Sequence, residues 1–309
     1  MRFLQTSLIL SLLFTNIVTS DAQELTRKST KDYNIFEKYF VLKADKETKH
    51  GQYLSYYSDY FFEDYIIEFG DYDNNLKTGN WFSFYHRDPS NFLKAAGSFV
   101  KGKKEGAWSY YYMDDSVTLY TSFGTQKTTR IIRPKKASER YQFEVSPEKY
   151  KMSSAGNYSN DAKSGIWEYY SVSGKLIHVY DHTANKLIEN NHKQPDSTLI
   201  YLGGLDRFFN YYRAAQHDMN LQKPIAITKP TQAVYEIGND GNYILTESFG
   251  DKSFLNHVDK IMNSIPQEWI FQDGTVKEKI QIIYTATYPK VEKKAPFSIN
   301  LKFVPVIQE

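Results

Sequence analysis

Several clusters in this chain have residue types and spacings that could do chemistry. Lys77-Thr78-Gly79 together with Ser146-x-x-Lys149 would supply an acyl-transfer serine with activating lysines. Their order along the chain is reversed, however, and the Lys-Thr-Gly lies inside a repeat whose other copies carry His, Glu or Ser at the middle position. Asp71-x-Asp73-x-Asn75 opens like a calcium loop. Leu76 then stands where the loop needs glycine, and Phe82 where it needs its closing acid. His178 and His182 would share one face of a helix and could bind a metal, but their stretch reads as strand and turn, with no third ligand near. Glu63-Asp64 is a paired acid on a charged, tyrosine-rich stretch. With no cysteine and no glycine-rich phosphate loop, the sequence offers no catalytic residue, no cofactor site and no metal site.

The dominant pattern is a phrase written four times, Lys-x-Gly-x-(Trp/Tyr)-x-x-(Phe/Tyr). It runs from Lys49 through Gly51 and Tyr53, from Lys77 through Gly79 and Trp81, from Lys104 through Gly106 and Trp108, and from Lys163 through Gly165 and Trp167. The copies start 28, 27 and 59 residues apart, so the last gap is close to two periods. In the last three copies another glycine, Gly70, Gly97 or Gly156, precedes the first by nine residues. A fixed period marks a stacked array in which each unit leans on its neighbours, and such surfaces bind more often than they catalyse. Alternating aromatics between glycine-bearing turns describe an antiparallel meander over residues 46–190. The turn glycines Gly51, Gly79, Gly106 and Gly165 are expected at φ > 0 in tight turns before each strand. Trp81, Trp108 and Trp167 are expected to form a buried ladder, the competing reading being an exposed stacking platform for a glycan or peptide. Residues 125–150 hold either one decayed unit or an insertion.

Composition supports a sheet-rich, ring-rich core: 41% hydrophobic and 16% aromatic, with 26 Tyr and 20 Phe. The formal charge of +2 gives no reason to expect a nucleic-acid partner. Arg2, the interrupted apolar run Phe3–Val18 and Ser20-Asp21-Ala22 read as a signal peptide over residues 1–22. Residues 23–45 follow as an N-terminal segment. The zero cysteine count excludes a disulfide and a cysteine-linked lipid. The expected location is periplasmic or secreted, with no transmembrane segment left after cleavage.

After a polar linker at 191–198 the period changes. Leu205, Phe208, Phe209 and Tyr212 stand at helical spacing behind Gly203-Gly204. Residues 232–238 alternate like a strand, Asn239-Asp240-Gly241 is a hairpin turn, and Phe254, Val258, Ile261, Met262 and Ile265 line an amphipathic helix that Pro266 stops. A long strand over 277–288 then places Ile280, Ile282, Tyr284 and Ala286 on one side. Beyond residue 291, Phe297 to Phe303 alternates strictly, and is expected to pair with that strand as an added edge.

The repeats resemble MORN-like repeats of exported bacterial proteins, on Gly70, Gly79 and Trp81, Gly97, Gly106 and Trp108, and Gly156, Gly165 and Trp167. Residues 199–290 resemble the TonB C-terminal domain, on Tyr201-x-Gly203-Gly204, Asn239-Asp240-Gly241, Pro266-x-x-Trp269 and Gly274. Phe271 departs from that family, which often has proline there, and Lys223-Pro224 replaces its usual Tyr-Pro. The resemblances imply a mostly β protein, a meander of stacked hairpins followed by a small α+β domain. The second implies binding by strand addition to protein or peptide, an outer-membrane receptor among the candidates, with Ile280, Ile282, Tyr284 and Ala286 on the receiving edge. The expected function is a non-enzymatic envelope protein of a Gram-negative cell. The alternatives are a membrane-anchored accessory of TonB-dependent uptake, retaining its N-terminal helix, and a secreted glycan-binding or hydrolytic protein.

The Ser20-x-Ala22 site predicts cleavage between Ala22 and Gln23. Intact mass of the protein from an envelope fraction should match a chain beginning at Gln23; a chain beginning at Met1 in the inner membrane would favour the anchored alternative.

Overall fold

The computed structural model describes residues 24–32, 34–58, 65–85, 92–113, 129–132, 140–145, 147–191, 199–222, 230–238, 241–271, 278–286 and 297–305. The chain is mostly β, and its larger part is a single antiparallel meander of eleven strands. In sheet order these are β1 (Leu25–Asp32), β2 (Ile35–Leu42), β3 (Lys49–Tyr57), β4 (Tyr65–Asp73), β5 (Leu76–Tyr85), β6 (Phe92–Val100) and β7 (Lys103–Tyr111). They continue directly to β10 (Met152–Ser159), β11 (Ala162–Tyr170), β12 (Leu176–Asp181) and β13 (Lys186–Asn190). The sheet therefore begins well before the first repeat.

Three hairpins close on two-residue turns with both residues at positive φ: Asn74-Asn75, Lys101-Gly102 and Asn160-Asp161. Such turns match the right-handed twist of the strands they join, and Asn, Asp and Gly tolerate them best. Asp71-x-Asp73-x-Asn75 is thus the end of a strand and its hairpin turn. The wide last repeat gap is an insertion: β7 pairs directly with β10, and the intervening chain contributes a separate two-stranded ribbon, β8 (Thr129–Ile132) with β9 (Gln142–Val145). Tyr141 is tied back to the sheet by Gln52, whose side-chain amide donates to the Tyr141 carbonyl (2.8 Å) and accepts its backbone N–H (2.7 Å). Tyr141, Val145, Tyr150 and Met152 pack on the apolar cluster of Leu54, Phe69, Phe84 and Tyr111.

The repeat glycines do lie at positive φ, 92° at Gly51, 63° at Gly79, 68° at Gly106 and 60° at Gly165. They do not form the turns, which corrects the sequence reading. Each sits inside its strand, in a bulge where the register slips. On β4–β5, Asp71 opposes Thr78 while Phe69 opposes Phe82; on β10–β11, Asn157 opposes Ser164 while Ala155 opposes Glu168. Two extra residues are absorbed, and a bulge of this kind re-aims the side chains after it.

What it re-aims is the tryptophan. A Cβ added at Gly70 would stand 2.4 Å from the Trp81 ring, at Gly97 2.1 Å from Trp108, and at Gly156 2.4 Å from Trp167. The upstream glycine of each unit is therefore the bed on which the indole lies. Each indole N–H donates to the carbonyl of the residue after that glycine: Asp71 (3.0 Å), Ser98 (3.1 Å) and Asn157 (2.9 Å). The three rings are buried, 3%, 4% and 0% exposed. Edge-to-face contacts through Phe99 and Tyr158 join them into one ladder. In the first copy Tyr53 replaces Trp, and Phe40 occupies the place between the bulged partners.

The C-terminal part begins with β14 (Leu199–Tyr201), paired with β17 (Trp269–Phe271). Between them run α1 (Leu205–Gln222), the hairpin β15 (Thr231–Ile237) and β16 (Tyr243–Phe249), and α2 (Lys252–Ser264). Asp251 caps α2 by accepting the N–H groups of Ser253 and Phe254. Its Phe254, Val258, Ile261 and Met262 are buried against Phe208, Tyr235 and Trp269. The remaining strands are β18 (Glu278–Ala286) and β19 (Phe297–Pro305), giving a sheet of order β16-β15-β18-β19. The helix–strand–strand–helix–strand order read from the sequence is present. So is the pairing of the last strand, antiparallel from Glu278–Pro305 to Ala286–Phe297.

Two glycines of one repeat should fail for opposite reasons. Gly106→Val has room for its side chain but a left-handed backbone, costing about 1–3 kcal/mol. Gly97→Ala has an ordinary backbone but collides with Trp108, costing about 1–3 kcal/mol as an overpacked core does and shifting indole fluorescence. Trp108→Ala should cost about 3–5 kcal/mol. Chemical denaturation of the three variants measures all of these; unchanged melting of Trp108→Ala would contradict a core role.

Candidate functional site

The motif lysines are the first element of the site. Each folds back over the ring of its own repeat: Lys49 lies 4.9 Å from the Tyr53 centroid, Lys77 3.9 Å from Trp81, Lys104 4.7 Å from Trp108, and Lys163 3.8 Å from Trp167. A cation over an aromatic face is attracted by the ring quadrupole, more so where water is thinned out. The sequence displayed these lysines but not this use of them.

The second element is buried charge between the repeat sheet and the C-terminal part. Arg207, on the first turn of α1, is 1% exposed, and Glu268, between α2 and β17, is 7% exposed. Arg207 and Lys163 both ion-pair with the Glu268 carboxylate. Arg207 also donates to the Leu202 carbonyl (2.9 Å), the Tyr211 hydroxyl (3.1 Å) and Ser154 Oγ (3.3 Å). Burial alone would raise the Glu268 pKa, but the two cations outweigh it and hold the carboxyl down at about 2. Burial, with Arg207 nearby, brings Lys163 down to about 8 despite the attraction of Glu268.

Around this triad the two parts share further polar contacts. The His178 imidazole accepts the Gly203 backbone N–H at 3.0 Å. Asn210 of α1 donates to the Tyr85 hydroxyl (2.9 Å) and accepts the Met113 N–H (2.8 Å). His182 meets the Tyr169 hydroxyl at 2.7 Å, and burial, then Lys163, depresses its pKa to about 4. The two histidines that share a spacing of four thus serve different partners. Among the described residues no cluster of three or more His, Cys, Asp or Glu could hold a metal ion, and no helix is long and apolar enough to cross a membrane.

Between these elements lies a cavity of about 440 Å³. The sheet contributes Lys77, Phe99, Lys104, Trp108 and Tyr158, and α1 with the segment after α2 contributes Arg207, Tyr211, Ala214, Pro266 and Glu268. Trp81 and Trp108, expected as ladder residues, therefore also wall a space, whereas Trp167 does not.

The strand-edge residues require a correction. Ile280, Ile282, Tyr284 and Ala286 lie on β18, which is hydrogen-bonded to β15 on one side and β19 on the other. Ile282 is fully buried. The tail strand occupies the edge on which the peptide was expected. On the opposite side of the sheet, β16 pairs with β15 alone among the described residues. Its side chains from Ile244 to Phe249 are exposed, Ile244 by 51%, Leu245 by 44% and Phe249 by 56%.

Comparison with known proteins gives no match to a family model, to a curated protein or to a solved structure.

Glu268 carries the prediction here. Glu268→Gln leaves Arg207 and Lys163 buried without a counter-charge and should cost about 3–5 kcal/mol. Because the folded pKa lies below the unfolded one, the carboxylate's contribution is complete above pH of about 4.5 and lost as pH falls towards about 2. The depressed His182 adds a loss of the same sign from about pH 6.5 down to about 4. Melting temperature against pH should fall in both windows, and the lower one should flatten in Glu268→Gln.

Proposed function

We propose that this chain is a non-catalytic binding protein of the cell envelope that takes an extended peptide or partner strand along the edge of β16. The observation that carries the reading is that edge. An unpaired strand presents a row of N–H and C=O groups ready to template another chain, and natural proteins blunt such edges with charge. The outer strand β1 is blunted in this way, with Arg27, Lys28, Lys31 and Asp32 along eight residues. β16 instead shows Ile244, Leu245 and Phe249 to solvent. Backbone pairing would supply affinity and these side chains selectivity, the mode implied by the resemblance to the TonB C-terminal domain.

A scaffold role for the repeats fits their chemistry. Lys49, Lys77 and Lys163 are committed to ring stacking and to the carboxylates Glu37, Glu68 and Glu268, and the tryptophans to their glycine beds. The buried ions Arg207, Lys163 and Glu268 serve cohesion between the two parts. Export by a signal peptide over residues 1–22 belongs to the same proposal; those residues lie outside the described ones.

A peptide selected from a random displayed library against the whole protein should slow amide exchange in residues 243–249 on binding. The pair Ile244→Lys and Phe249→Lys should weaken it about tenfold or more. Deleting residues 296–309 should bare β18 and either create a second binding site per chain or cause aggregation, visible by calorimetry and light scattering. Protection confined to other strands, with affinity unaffected by the lysine pair, would overturn the reading.

A further inference from the structure

The four motif lysines are not equivalent. Lys49 has Glu37 at 3.7 Å, Lys77 has Glu68 at 2.8 Å, and Lys163 has Glu268. Lys104 has no carboxylate within ion-pair distance among the described residues. Its ammonium donates to the Tyr110 hydroxyl at 2.8 Å and lies near the rings of Trp108 and Tyr158. The nearby Asp161 carboxylate is turned to the Lys104 backbone N–H, at 2.7 Å. Lys94, which also lines the cavity, has no ion-pair partner among the described residues either; its ammonium lies 5.7 Å from the Tyr85 ring.

Among the described residues the cavity wall carries five cationic side chains, Lys77, Lys94, Lys104, Lys163 and Arg207, against two acids, Glu68 and Glu268. Both acids are taken. The unmatched charge is concentrated on Lys94 and Lys104, facing a space large enough for a small molecule. Burial, and then repulsion from Lys77 and Lys94, lowers the Lys104 pKa against the pull of Asp161. A cation that is stacked, partly desolvated and surrounded by like charge gains most from an incoming anion.

We propose that this cavity is a binding site for a small ring-bearing monocarboxylate, its carboxylate on the Lys104 ammonium and its ring against Phe99, Trp108 and Tyr158. Cations are repelled by the wall. An uncharged sugar would leave the Lys104 charge unanswered. A phosphate dianion is best met by a planar guanidinium fork or a nest of backbone N–H groups; among the described residues the one guanidinium on the wall, Arg207, is already engaged by Glu268, Leu202, Tyr211 and Ser154. One ammonium backed by a second, beside aromatic walls, matches a single carboxylate on a flat body. The site is separate from the β16 edge and does not depend on peptide binding there.

The test uses the full chain with phenylacetate and glucuronate as probes, their uncharged amides as controls, and inorganic phosphate as the competing anion. Saturation-transfer NMR and calorimetry should show at least one carboxylate binding at millimolar concentration or tighter. Its amide should bind at least about tenfold more weakly, the loss expected for one charge-assisted hydrogen bond. Lys104→Gln should weaken the carboxylate by a similar factor while leaving the weak amide affinity unchanged. If Lys104→Gln fails to fold, Lys94→Gln replaces it and should weaken the carboxylate about threefold or more through the lost field. Binding of neither carboxylate, equal binding of acid and amide, stronger binding of phosphate, or no effect of the lysine substitution overturns the proposal.

Discussion

The contact on which the arrangement depends is the carboxylate of Glu268 held between Arg207 and Lys163. It joins a residue just ahead of β17, the first turn of α1, and a repeat strand more than a hundred residues away. Taking such charges out of water costs more than a single pair returns, and here hydrogen bonds from both sides supplement the two ion pairs. Leu202, Tyr211 and Ser154 accept further hydrogen bonds from the two terminal nitrogens of Arg207, while its buried Nε has no partner among the described residues. The Tyr169 hydroxyl accepts one from Lys163, at 3.1 Å. Two parts that pack only through apolar surface can slide; two parts locked by a desolvated triad have one register. That register sets the walls of the cavity beneath α1.

The repeat itself is a mechanical unit of four residues from two strands. The positive-φ glycine makes the bulge, the bulge lays the indole across the neighbouring strand, and the second glycine clears the space beneath it. Lysine then covers the outer face of the ring. The last three copies carry all of these parts together. The first copy shows the dependence in reverse, since it has Tyr53 for tryptophan and a bulky Phe40 where the others keep glycine.

Much of this was legible in the sequence because it is local. Periodicity revealed the meander, the apolar stripe of Phe254, Val258, Ile261 and Met262 gave α2, and strict alternation gave β19. The turn assignment of the repeat glycines failed because positive φ is shared by turns and bulges, and only register distinguishes them. The edge residues on β18 were misplaced in function because the tail strand, recognised as a candidate cover, does cover them. Arg207 and Glu268 were missed for a different reason: their meaning lies in a contact across 61 residues. The available hint was an arginine inside the apolar face of Leu205, Phe208 and Tyr212, and a glutamate wedged between Pro266 and Trp269.

The same triad that secures the fold also explains why Lys104 stands apart from its siblings. Lys77, Lys104 and Lys163 face the same cavity, and whether a motif lysine is neutralised depends on what lies near it. Opposite Lys163 stands Glu268, delivered by the C-terminal part. Lys77 has Glu68 beside it on β4, and Lys49 has Glu37 on β2. On β6 the place of Glu68, two residues before the bed glycine Gly70, is taken by Ala95, two residues before Gly97, so Lys104 meets no equivalent acid there. A repeat that conserves its lysine for stacking while one copy lacks the carboxylate produces a charged vacancy without any change to the motif. The scaffold's own regularity thus creates the exception, and the exception is the place on this sheet where an anion has something to gain.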